Sequence, residues 1–364
     1  MLPPRFPLRA IMGVLMTALV AVPALPASPA RAATIGIELV ADGLDLPVAF
    51  AFAPDGRIFY VERTTGEVRI VDGSRNSLFA TIGGAESLVG MALHPNYPST
   101  PYVYVWGRRV LSGETKDHLV RITDSGGTGT SKRVIFEIPG TGQDYGGDID
   151  FGPDGKLYLV TGDQSRAEKA QDLSSPSGKI LRMNANGGIP SSGNPFPNSR
   201  VWAYGVRNSI GMTRDPANGR LWMVDNGPTC NDEVNRIIKG RSYGWGRSRT
   251  CSTPPPAPLN TNQDGPDPVL PTWWSVTPIG PTGIEFCSSC GLGSGLEGRL
   301  LFGDANFGQL HAATLNAART AVVSESVIYT HPPGRIFSIE TGIDGSLYFS
   351  NPRAIFRLVV VAGS

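Results

Sequence analysis

The chain is predicted to be all-β, a six-bladed β-propeller of four-stranded antiparallel sheets. Three observations carry that prediction. Six times a turn containing Gly, Asn or Asp leads into a short strand of alternating β-formers. Each instance is followed, after a further turn, by another strand, and amphipathic helical periodicity of any length is absent. In order, the instances are APDGRIFYVER (53–63), HPNYPSTPYVYVW (94–106), GPDGKLYLVTGD (152–163), PANGRLWMVDNG (216–227), LEGRLLFGDAN (296–306) and GIDGSLYFSN (342–351). Among the strands that follow them are EVRIVD (67–72), KILRMN (179–184) and AIFRLVVV (354–361). Repeats spaced by roughly 40–80 residues, each holding several strands, are the signature of propeller blades. The ring is expected to close by pairing the strand near residues 37–41 with the C-terminal strands, which removes exposed edges.

Composition narrows the partners. The 364 residues are 40% hydrophobic and 17% charged, which suits a folded protein with a sizeable core. Lys+Arg 32 against Asp+Glu 31 leaves no basic excess, and no Lys/Arg block appears, so a nucleic-acid partner is not expected. Gly 45 and Pro 31 make the chain turn-rich without reaching the level of low-complexity disorder.

The first 32 residues read as an export signal and residues 33–364 as a single propeller domain. Arg5 and Arg9 precede an apolar core over residues 11–22, and Ala30-Arg31-Ala32 supplies the small residues of a cleavage site. That core is short for a membrane span, which needs about 20 residues, and Pro23 and Pro26 follow it closely. A mature protein beginning near Ala33, outside the cytoplasm, is expected; a retained N-terminal anchor is the alternative.

Export makes the four cysteines readable. In an oxidising compartment Cys230, Cys251, Cys287 and Cys290 are expected to form two disulfides, and sequence permits three pairings. Cys230–Cys251 with Cys287–Cys290 is the most local, and the first would close a loop worth roughly 3 kcal/mol. A four-Cys zinc site is the sharper alternative, because Cys287-x-x-Cys290 has ligand spacing, and a redox-active CxxC is another.

One stretch, residues 204–245, carries more polar chemistry than packed strands need. Arg207 and Asn208 follow a Tyr-Gly turn, Gly227-Pro228 sits where the strand over 221–224 ends, and Asp232-Glu233 follows within one loop. A cation, amides, carboxylates and a Gly-Pro corner therefore cluster around one strand end. Two long inserts, residues 184–199 and 252–268, have no regular pattern, and loops of this length often line the mouth of a site.

With those residues in view, the chain resembles the soluble PQQ-dependent glucose/sorbosone (aldose sugar) dehydrogenase family. The resemblance rests on LVGMALHPNY (88–97), GGDIDFGPDGKLYLVTGDQ (146–164), GKILRMN (178–184), YGVRN (204–208), DNGP (225–228), DEVNRI (232–237) and SYGW (242–245). It implies a six-bladed propeller that oxidises an aldose at its anomeric carbon with PQQ and calcium and passes the electrons to an acceptor. It further implies that the carbonyls of Gly227 and Pro228 hold the calcium, which prefers oxygen ligands. Arg207, with Asn208 beside it, and Arg335 in PPGRIF would hold the tricarboxylic cofactor by charge-assisted contacts.

The chain also departs from the family pattern. Where the family places a His before the GG of the third blade, this chain has Asp144-Tyr145-Gly146-Gly147. Asp144 is the candidate catalytic base. An exposed aspartate titrates near ~3.9 and would need burial or a neighbour such as Asp148 to become a stronger base. The family's late Arg-x-Arg reads Arg335-Ile336-Phe337, its fifth-blade lysine falls near Asn306-Phe307, and its second-blade glutamine position holds Glu86. Two readings follow: a PQQ- and calcium-dependent sugar dehydrogenase with a variant site, or an inactive propeller that binds a glycan or protein. Other propeller enzymes, such as calcium-dependent lactonase-like hydrolases, form a third class.

Overall fold

The six repeats become the second strands of six successive four-stranded antiparallel sheets: Ile58–Glu62, Tyr102–Leu111, Leu157–Thr161, Leu221–Asp225, Leu300–Asp304 and Leu347–Ser350. The computed structural model describes residues 34–248, 264–332 and 334–361. The export signal at residues 1–32 therefore lies outside the described residues, as do Cys251 and most of the insert 252–268.

Neighbouring blades cover both faces of these second strands, so all but Tyr102–Leu111 are buried along their whole length. The core is accordingly a ring of blade-to-blade contacts. Phe59 and Val61 pack with Val103 and Val105, Tyr104 and Trp106 with Leu157 and Leu159, and Val160 with Met223. Trp222 and Val224 meet Leu300 and Phe302, Leu301 meets Phe349, and Tyr348 returns to Tyr60. Each sheet buries against the next, and no blade has a core of its own.

The ring closes as expected. Thr34–Ala41 pairs antiparallel with Ile355–Val361, with Ile37 opposite Leu358, so the N-terminal strand is the outermost strand of the last blade. Cys287 and Cys290 are joined, leaving no thiolate there for zinc, and Cys230 is disulfide-bonded too. Among the described residues no cysteine is free.

The first strands of the blades touch one another around the axis and enclose a channel. One mouth opens into a cavity of about 510 Å³ lined by Asp148, Asp150, Glu285 and Glu340, with Arg214 beside them. Burial, then mutual repulsion, pushes Asp148 up to about 8, while burial sets Glu285 at about 7 and raises Asp150 and Glu340. A carboxyl with a raised folded pKa stabilises the fold below its unfolded pKa, and that stability is lost as pH rises through the folded value. Glu340→Gln should therefore leave the melting temperature nearly unchanged at pH 5 and raise it progressively towards pH 8. Melting curves at both pH values check this; a difference that does not grow with pH contradicts it.

Candidate active site

At the opposite mouth the loops leaving second and fourth strands converge on a second axial cavity of about 490 Å³. Its lining includes Arg63, Asp144, Tyr145, Asn208, Thr282 and Phe337, with Val48, Val89 and Ile210 as apolar wall.

Arg207 and Asn208 are fixed from behind. Asp225, at the end of its blade's second strand, accepts Arg207 N at 3.0 Å and Asn208 N at 2.7 Å. Burial pushes that carboxyl up to about 7, against the pull of the two amides and Arg207. Asn208 Oδ1 accepts Gly146 N at 3.2 Å, tying the Asp144 loop to the same turn.

The Arg207 guanidinium is committed on several sides. Nη1 donates to Asn226 O at 2.9 Å and Gly227 O at 3.1 Å, and Nη2 pairs with Asp144 Oδ2 at 3.0 Å. It lies 5.6 Å from the centre of the Trp245 ring, whose Nε1 donates to Asp163 Oδ2 at 2.6 Å. Trp245 arrives there because the chain after Asp232–Arg236 turns back along the preceding blade, making a parallel bridge between Tyr204 and Ser242.

Asp144 sits on the loop before the third blade with φ of +58°, a left-handed conformation rare outside glycine. Its carbonyl accepts Gln164 N at 2.9 Å, and an approach this close leaves no room for a side chain at Gly162. The loop is pinned by Arg108, which pairs with the fully buried Asp117 at 2.7 Å, donates to Gly142 O and stacks on Tyr145 at 4.5 Å. Asp148 does not neighbour Asp144 as a second carboxylate. It opens the inner strand and faces the other mouth, because Gly146, at φ of +66°, turns the chain between them.

The remaining expected residues are placed less centrally. Gly227 N donates to Asp232 Oδ1 at 2.8 Å, and Asp232 also takes Ile279 N and Gly280 N, so Gly227-Pro228 forms a tight corner beside Arg207. Arg335 is exposed at φ of +70°, and Phe337 lines the cavity in its blade. Phe307 and Glu86 are exposed. Nothing from the insert 184–199 lines this cavity. That insert joins the third and fourth strands of its blade, Lys179–Met183 and Val201–Tyr204, and antiparallel order puts such a connection at the opposite mouth.

Sequence reasoning gave no role to Arg63, Arg108 or Trp245, nor to the buried Asp163, Asp225 and Asp304. A signal existed: Glu62, Asp163, Asp225 and Asp304 recur at or just after the ends of second strands, with Asn351 in the last blade. These side chains cap the loops that build the site.

A flat tricarboxylic quinone needs an apolar slot and positive groups around it. The cavity offers Val48, Val89, Ile210 and Phe337 for the first, and Arg63 and the adjacent Arg207 for the second. Its volume falls in the range of ligand pockets, and on size and donor chemistry the residues fit PQQ. Calcium is a different matter. The Gly227 carbonyl already accepts Arg207 Nη1, so a divalent ion on that oxygen would sit against a guanidinium. Among the described residues no three His, Cys, Asp or Glu side chains gather to hold a metal. As arranged, the corner does not fit calcium.

Fold and site together define a six-bladed propeller with an axial pocket that joins an apolar wall to charged and amide side chains. The chain belongs to the Glucose / Sorbosone dehydrogenase family, whose sequence profile matches residues 44–357. It is 28% identical to the aldose sugar dehydrogenase YliI of Escherichia coli over 91% of this chain and 93% of that one. An uncharacterised Synechocystis protein is 33% identical over 67% of each chain. Among solved structures, the PQQ-bound aldose sugar dehydrogenase of Streptomyces coelicolor is 27% identical with a TM-score of 0.76, covering 92% of this chain and all of that one.

Proposed function

We propose that this protein is an exported, PQQ-dependent dehydrogenase that oxidises an aldose at its anomeric carbon. The observation that supports it best is the meeting of Arg207 and Asn208, on one loop, with Asp144, on the loop of the neighbouring blade, beside one axial cavity. Bound there, PQQ supplies a two-electron acceptor for the hydride of the anomeric carbon. The family membership supports the same reaction class.

The chain's own residues then have distinct tasks. Arg207, held by Asp225 and the Gly227 corner, presents its charge to a cofactor carboxylate or carbonyl, with Asn208 beside it and Arg335 as a further contact. Asp144 accepts the proton of the sugar's anomeric hydroxyl at Oδ1, the oxygen not engaged by Arg207 or Ser165. Tyr145 and Phe337 narrow the cavity and keep water from the reacting atoms. Calcium at Gly227 and Pro228 would require Arg207 to release the Gly227 carbonyl. Residues 1–32 act as the export signal, so the mature chain works outside the cytoplasm.

The test is turnover of an aldose panel with an artificial electron acceptor, with and without PQQ. Asp144→Asn should lower kcat by about 10²–10⁴-fold while PQQ binding survives, because the amide oxygen still accepts from Arg207. PQQ binding without turnover of any aldose would favour the second reading, a propeller that binds a glycan or protein.

A further inference from the structure

Among the described residues lining the candidate cavity, Arg63 is the one basic side chain. It stands in the turn after Ile58–Glu62 in the first blade and is exposed. Its main chain is fixed at both groups: its N–H donates to Leu46 O at 3.2 Å, and its carbonyl accepts Leu88 N at 2.9 Å. Nε donates to Ser87 Oγ at 3.3 Å, which sets the side chain against the second blade.

Nothing shown neutralises this guanidinium, since no ion pair involving it occurs among the described residues. The adjacent Glu62 carboxylate is turned to Tyr60, Thr65 and Arg69. Asp144, the one acid among the described lining residues, is taken by Arg207. Among the described residues the cavity therefore keeps one cation that is positioned but unpaired, with the neutral Phe337 and Ala305 in the same lining. An uncompensated guanidinium with free Nη donors matches a carboxylate by its fork geometry.

We propose that Arg63 is a carboxylate anchor of this pocket and supplies, from the first blade, the positive charge that the chain lacks at Phe307 and Phe337. This rests on the dehydrogenase reading above. The carboxylate belongs to the quinone cofactor or to an acidic sugar, and the experiment separates the two.

Unloaded wild-type protein and Arg63→Gln are titrated with PQQ, with PQQ trimethyl ester, with glucuronate and with glucose. Melting curves and the conservative Arg63→Lys serve as controls for folding. Loss of one charge-assisted contact should weaken the relevant ligand about 10- to 100-fold, with Arg63→Lys recovering part of it. A loss for PQQ that vanishes with the ester assigns the anchor to the cofactor. A loss for glucuronate but not glucose assigns it to the substrate. Unchanged affinity of the variant for both acidic ligands overturns the Arg63 proposal alone. Wild-type protein that binds no PQQ overturns the functional reading and this proposal with it.

Discussion

Arg207→Ala is expected to reduce PQQ affinity by about 100-fold or more while the protein stays folded. The loss has two parts. One is the charge-assisted contact itself, typically ~1.5–3 kcal/mol. The other is Asp144, whose carboxylate would lose its ion pair and face a tricarboxylate unneutralised. The fold survives because Asp225 holds the backbone amides of residues 207 and 208, which the substitution leaves in place. The ion pair is itself partly exposed, so its own worth to stability is small. Arg207→Lys should recover charge but not the fork that reaches Asp144 and the Gly227 carbonyl together. An absorbance titration with PQQ, beside a circular dichroism melt, checks both halves. Unchanged affinity would mean that Arg207 does not hold the cofactor.

Arg108→Ala should have the largest effect on stability, a loss of about 3–5 kcal/mol. Arg108 holds Asp117 by a fork, Nε to Oδ1 at 2.7 Å and Nη2 to Oδ2 at 3.1 Å, and Asp117 is fully buried. Removing the arginine strands a carboxylate whose other side-chain partner among the described residues is Gln164 Nε2 at 2.9 Å. Burial already raises the pKa of Asp117, so the variant would protonate it on acidification and the penalty should shrink at low pH. Asp117→Asn introduced beside Arg108→Ala should restore much of the loss, since the stranded charge is gone. The 140–145 loop would still be freed, because Arg108 also binds Gly142 O and stacks on Tyr145. Urea unfolding of the single and double variants gives the stability, and equal losses in both would contradict the buried-charge account.

The blades were legible because everything that makes one is local: a Gly- or Asn-containing turn, then a strand apolar on both faces. Arg207, Asn208 and Gly227-Pro228 were legible for a related reason, as they lie within one run of sequence around a single strand. What the sequence hid is contact across the ring. Asp144 and Arg207 lie 63 positions apart and meet only because neighbouring blades aim their last loops at the axis. Arg63 looks like an ordinary hairpin residue in ERTTGE until the ring places that turn at the cavity. The insert 184–199 misled for a topological reason, since length alone does not say which mouth a loop serves.

Anaerobic mixing of PQQ-loaded protein with a stoichiometric aldose tests the central claim most directly. The account predicts that the absorbance of the oxidised quinone is lost in a single turnover and that one equivalent of sugar is oxidised at its anomeric carbon. A stable oxidised spectrum, with every aldose recovered unchanged, would contradict it.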